Sequence, residues 1–281
     1  METINTIAIN EGVELNSVNQ LTTEDKNYCD TVFTRYSSHI THVSTLINTI
    51  ETRNDEYESN QPVKEEEQFF SLSKIEKATE ALKDTLESLT ESLIIKLENY
   101  FIKKYCLVFK SMIPERGCIN LNPFSSYDSI IRNITEQTGN DLLQAGKEQI
   151  KNRLLKCFYR NRIPALKGNK ITIPDFISLD EHWGERISLN YSYNSGLENL
   201  INALNLFLND STELPEIITG KLIDWKRTLD LSEHYTAFID VSFKFFKNRR
   251  IDVLFSSPVI ARRFWNYYTL EIIEKLIQEN D

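Results

Sequence analysis

The sequence predicts a predominantly helical α+β protein, and three observations carry that expectation. Two long segments space their apolar residues alternately three and four apart, as helices sharing a seam do. One stretch near the C-terminus alternates apolar and polar residues strictly, as a half-buried β-hairpin does. Glycine and proline are scarce, 8 and 7 among 281 residues, which favours long regular elements.

Residues 1–20 are polar and aperiodic and read as an arm, with a short strand around Ile7 to Ile9 as the alternative. A helical hairpin is expected over 21–110. Thr22 or Thr23 caps its first helix, with Glu24 and Asp25 at the positive end of the helix dipole. The apolar stripe reads Val32, Tyr36, His39, Val43, Leu46, Ile50. A polar acidic link, Glu51 to Gln68, leads to a second helix opened by Ser71 or Ser73. Its stripes are Leu72, Thr79, Leu86, Leu93, Tyr100 and Ile75, Leu82, Leu89. Leu82, Leu86, Leu89 and Leu93 form the candidate protein interface, for a protein partner or a homodimer.

A compact α+β domain is expected over 111–281. It opens on a loop over 111–125, followed by helices over 126–137 and 140–160 broken at Gly139. Short strands follow at Ile171 to Ile173 and Ile187 to Tyr193. A helix is expected over Leu197 to Leu208 and a weaker one over Pro215 to Leu231. A β-hairpin over 237–256 and a helix over 258–278 complete the domain, with Pro258 suited to a first turn.

The hairpin can be read residue by residue. If Ile239, Val241, Phe243 and Phe245 share a face with Ile251, Val253 and Phe255, then Phe245 opposes Ile251 and Val241 opposes Phe255. That register leaves the loop Lys247-Asn248-Arg249, whose third residue takes the left-handed conformation. Arg249 costs about 1 kcal/mol there relative to glycine. Lys244 then opposes Asp252 on the outer face, and Phe246 meets Arg250 in cation–π contact.

The string Phe245-Phe-Lys-Asn-Arg-Arg-Ile-Asp-Val-Leu-Phe255, with Arg153-Leu-Leu-Lys-Cys-Phe-Tyr-Arg160 and Gly168-Asn-Lys-Ile-Thr-Ile173, resembles a family of uncharacterised domains. These occur in mobile-element and phage-type proteins, and some are fused to DNA adenine methyltransferases. The resemblance covers the C-terminal half. This chain departs from it in two places: Arg249 stands where the family has a turn glycine, and Asp252 where it has a histidine. The resemblance implies a mobile-element or phage-type protein and carries over no catalytic residue.

Net charge is −9, distributed unevenly. Residues 1–110 carry −8, residues 111–170 carry +5 and residues 171–281 carry −6. An acidic total excludes indiscriminate coating of DNA, while the basic middle suits a local anionic partner. Lys147, Lys151, Arg153, Lys156, Arg160, Arg162, Lys167 and Lys170, with Lys247, Arg249 and Arg250 at the hairpin turn, are the candidate contacts to DNA or RNA. The competing reading pairs these cations with the acidic N-terminal helices.

Other signals are weaker. His39 and His42 share a helix near Cys29, but His39 lies on the stripe and reads as a buried or register-setting residue. The four cysteines are widely spaced, so no zinc site is expected. Pro215-Glu216 with Asp224-Trp-Lys226 loosely resembles the carboxylate–lysine pattern of metal-dependent nucleases, whose chemistry needs two carboxylates on Mg²⁺. That pattern belongs on a β-hairpin, and this region reads as helix. Leu121-Asn-Pro-Phe124 resembles a methyltransferase loop, but no glycine-rich cofactor loop follows a strand. No apolar run is long enough to span a membrane, and no secretory signal opens the chain. The expectation is a cytoplasmic, non-enzymatic accessory protein without cofactor or metal. It binds nucleic acid or, alternatively, assembles through its acidic helical hairpin; a metal nuclease ranks third.

Overall fold

The fold is α+β and predominantly helical, as the computed structural model of the chain describes it over residues 21–60, 65–113, 126–158, 163–182, 186–190, 195–227 and 229–278. The arm over 1–20 and the loop over 114–125, with its Asn122-Pro123 pair, lie outside the described residues. Two compact units are formed. One holds Met1–Ile102 and Phe109–Leu142, the other Lys103–Val108 and Leu143–Asp281.

The first unit is built on two long helices, α1 (Thr23–Asn60) and α2 (Glu65–Tyr105), with a short α3 (Asp128–Thr138). Thr22 caps α1 reciprocally: its hydroxyl oxygen accepts from the Asp25 N–H at 3.1 Å, and the Asp25 carboxylate accepts from the Thr22 N–H at 3.1 Å. This is capping-box logic with Asp in the reaching position. The same carboxylate accepts from the Tyr100 hydroxyl of α2 at 2.9 Å, and Tyr28 stacks on Tyr100 with ring centres 3.9 Å apart. Farther out, Lys83 and Glu51 pair at 2.9 Å, so the helices run antiparallel.

The α1 seam differs in phase from the expected stripe. Ile40 and Ile47 are buried, whereas His39 and Leu46 are exposed. Both phases alternate three and four. The winning one continues from fully buried Cys29 and puts two β-branched aliphatics inside instead of an imidazole. The polar stretch expected to link the helices is largely helix itself, since α1 runs to Asn60 and α2 begins at Glu65. Glutamate is a good helix former, and this stretch is rich in it. Buried Glu98 accepts from the Ser111 hydroxyl at 2.6 Å and the Met112 N–H at 2.7 Å, which holds the segment after α2.

The second unit contains α4 (Leu142–Lys156), β1 (Ala165–Lys167), β2 (Lys170–Ile173), β3 (Leu179–His182) and β4 (Arg186–Leu189). It continues with α5 (Ser195–Asn209), α6 (Glu216–Arg227), β5 (Tyr235–Phe238), β6 (Val241–Phe245), β7 (Ile251–Phe255) and α7 (Pro258–Gln278). Five strands form an antiparallel sheet in the order β1-β2-β7-β6-β5, and β3 pairs with β4 separately. Its inner face, including Ile171, Ile173, Val241, Phe243, Phe245 and Val253, is buried with α5 and α7 residues such as Leu204 and Phe264. Tyr268 closes this core, its buried hydroxyl donating to the Ala203 carbonyl at 2.9 Å. Gly146 of α4 is required for packing, because a Cβ there would collide with the Tyr105 carbonyl.

The β6–β7 register is the expected one, from Val241 opposite Phe255 to Phe245 opposite Ile251, with Arg249 at φ 67°. The strand before the turn is shorter than expected. The chain reverses at Ile239-Asp240, so Ile239 is fully exposed rather than on the buried face. The Asp240 carbonyl and carboxylate accept from the Ser256 N–H and hydroxyl at 2.8 and 2.6 Å, which holds that turn.

Candidate nucleic-acid interface

Register alone arranges the outer face of the five-stranded sheet. Alternation along each strand sends every second side chain outward. One row across the face is therefore Ala165, Thr172, Asp252, Lys244, and the next is Lys167, Lys170, Leu254, Ser242. Phe246 and Arg250 flank the turn at the end of β6 and β7. These outer residues keep partial or full exposure, Asp252 excepted. Gly168, at φ 61°, opens the two-residue turn between Lys167 and Lys170 in the manner of a type II′ turn.

Four cations, Lys167, Lys170, Lys244 and Arg250, thus share a face with one carboxylate. Asp252 is only 4% exposed. Lys170 Nζ lies 3.1 Å from its Oδ2, and Arg250 Nε lies 3.3 Å from its Oδ1. The second contact is an ion pair without a hydrogen bond, since neither Arg250 Nε nor Asp252 Oδ1 has a hydrogen-bond partner. The attraction is coulombic and leaves the N–H unaligned. Lys244 faces Asp252 across the strands as expected, but the ion pairs of Asp252 go to Lys170 and Arg250 instead. The guanidinium carbon of Arg250 sits 3.7 Å from the Phe246 ring centre, and Lys244 Nζ lies 6.0 Å from the same ring.

The α4 cations behave differently. Lys147 pairs with Asp210 at 2.8 Å. Lys151 lies over the Tyr267 ring at 5.9 Å. Arg153 Nη2 donates to the Cys106 carbonyl at 2.6 Å and approaches its sulfur at 2.9 Å. Lys156 is exposed in the last turn, where the dipole favours a cation. Arg160 and Arg162 lie outside the described residues. Lys247 is exposed at the hairpin turn. Arg249 is tied down, with Nε 3.1 Å from Asp175 Oδ1 and 3.2 Å from the Ile177 carbonyl. Its own carbonyl accepts from the Phe176 and Ile177 N–H groups, so the arginine that replaces a glycine at the turn anchors the chain after β2.

Of the eleven candidate cations, the sheet brings together Lys167, Lys170 and Arg250 and adds Lys244, which sequence reasoning had assigned only to a cross-strand pair. Of the candidate interface residues, Leu86 and Leu93 are buried within the chain, and Leu82 and Leu89 are half-buried. His39, His42 and His234 are exposed, and no group of three metal-ligating side chains occurs among the described residues. Glu216 and Asp224 lie on one helix, α6, and not on the β-hairpin the nuclease pattern needs. A cleft of about 450 Å³ beside β5, lined by Leu208, Pro215, Ile217, Ile218 and Phe238, is mainly apolar. Lys221 lines it too, but its ammonium donates to the Thr236 carbonyl at 2.8 Å. No helix among the described residues is long and apolar enough to cross a membrane.

Fold and face together define a class: an α+β protein presenting one partly open, cation-rich face of an antiparallel sheet. No family model, no curated protein and no solved structure matches the chain.

Proposed function

We propose that this protein is a non-enzymatic accessory protein that binds nucleic acid through the outer face of its five-stranded sheet. The observation that carries the reading is the four-to-one excess of cations over carboxylates on that face among the described residues, within a chain whose net charge is −9. An acidic protein with a confined basic face binds a phosphate backbone locally and repels it elsewhere. Asp252 supports the same reading. It offsets one charge and holds Lys170 and Arg250 on the face, while Lys167 and Lys244 make no ion pair among the described residues. The local resemblance to phage-type and mobile-element domains fits a partner of this kind.

The test is fluorescence anisotropy of a labelled oligonucleotide with the full chain, titrated against salt. The wild type is expected to bind with steeply salt-dependent affinity. Changing Lys167, Lys170 and Lys244 together to Gln should lower the salt slope by about two to three, at roughly 0.7 to 0.9 for each of the three lost contacts. An unchanged slope in the triple variant would remove the sheet face from consideration.

A further inference from the structure

We infer that the ligand of this face is single-stranded nucleic acid and that the Arg250–Phe246 stack is its base-reading platform. The inference rests on the reading above and adds the strandedness and the stacking residues.

Shape argues first. The major groove of duplex DNA, about 12 Å wide, admits a helix or a two-stranded ribbon. Five strands spaced about 4.8 Å apart make a face of roughly 19 Å, too broad to enter it. A duplex lying across the face would offer phosphates only, and its bases would remain stacked on one another. A single strand exposes base faces, which a sheet can take up on planar side chains.

The side chains supply such a plane. Arg250 lies 3.7 Å from the ring centre of Phe246, and its side chain remains 34% exposed. Its Nε contact with Asp252 holds it electrostatically without hydrogen-bond alignment, and its guanidinium makes no hydrogen bond among the described residues. The guanidinium is therefore positioned over the ring with donors left over. Arginine stacks on aromatic and base planes and can bond phosphate at the same time, which lysine cannot do. Around it the face is low, with Ala165, Thr172 and Ser242 between the lysines, so bases can approach the strands. Lys167, Lys170 and Lys244 flank this floor on three strands and suit the backbone of a strand crossing the sheet. No group on the face is assigned to a 2′-hydroxyl, so DNA and RNA strands share the chemistry.

The experiment compares labelled oligo(dT), oligo(U) and a mixed-sequence duplex of equal length, by anisotropy with the full chain at fixed salt. Single strands are expected to bind at least tenfold more tightly than the duplex, and the two single-stranded arms report whether DNA or RNA is preferred. Arg250→Lys, which keeps the charge and removes the plane, should weaken single-strand binding about tenfold and leave the salt slope unchanged. Phe246→Leu should weaken it likewise, and thermal melting of both variants checks that they fold. Equal affinity for duplex and single strand overturns the inference while leaving nucleic-acid binding intact, as does full affinity in Arg250→Lys. Absence of binding to all three oligonucleotides overturns the underlying reading as well.

Discussion

Two clusters of cations in the compact domain look alike in the sequence and differ in the structure. On α4, Lys147, Lys151 and Arg153 are held by Asp210, the Tyr267 ring and the Cys106 carbonyl. On the sheet, Lys167 and Lys244 have no ion-pair partner among the described residues, and Lys170 and Arg250 share a single carboxylate. Counting basic residues along a segment measures charge. Whether the charge can serve a ligand depends on how many donors the fold has already engaged. Three of the four described α4 cations are thus engaged within the chain, with Lys156 left exposed, and the sparser sheet set is the better candidate surface.

Three substitutions can break or sharpen that contrast. The largest effect is expected from Arg153→Ala, which leaves the Cys106 carbonyl without its charged donor. A loss of about 2 kcal/mol in a denaturant unfolding curve, with oligonucleotide affinity unchanged, would mark this arginine as structural. A drop in affinity at unchanged stability would instead return α4 to the binding surface. Asp252→Asn comes next. Its cationic partners are more than a third exposed, so solvent screening limits the destabilisation to about 1 kcal/mol. Removing the one carboxylate should also raise oligonucleotide affinity a few-fold; a fall would mean that Asp252 orders the face more than it repels the ligand. The smallest effect belongs to Lys147→Gln. Its partner Asp210 is 83% exposed, and such pairs contribute within about 0.5 kcal/mol. Both melting temperature and affinity should hardly move.

The readable parts of the fold were the local ones. The β6–β7 register and the left-handed Arg249 follow from alternation and loop length within twenty residues. The second helix and its buried Leu86 and Leu93 follow from heptad spacing. Other elements were too short to signal themselves. β1 has three residues, and β3 reads Leu-Asp-Glu-His without an apolar alternation. The break at Ile239-Asp240 was hidden because the apolar pattern runs straight through it; a contact with Ser256, just past β7, holds the reversal. The candidate surface was half-readable. Lys167, Lys170 and Arg250 were singled out, but Lys244 joins them only because β2 docks beside β7.

The sequence by itself determined the class of fold, the two long helices and one hairpin with its register, since each depends on periodicity between near neighbours. Tertiary structure alone decided which phase of α1 is buried, what Arg249 holds, and which cations share a surface. Those outcomes depend on contacts between residues up to about eighty positions apart, such as Lys170 with Asp252. A charge pattern along one strand carries no record of the strand that will lie beside it.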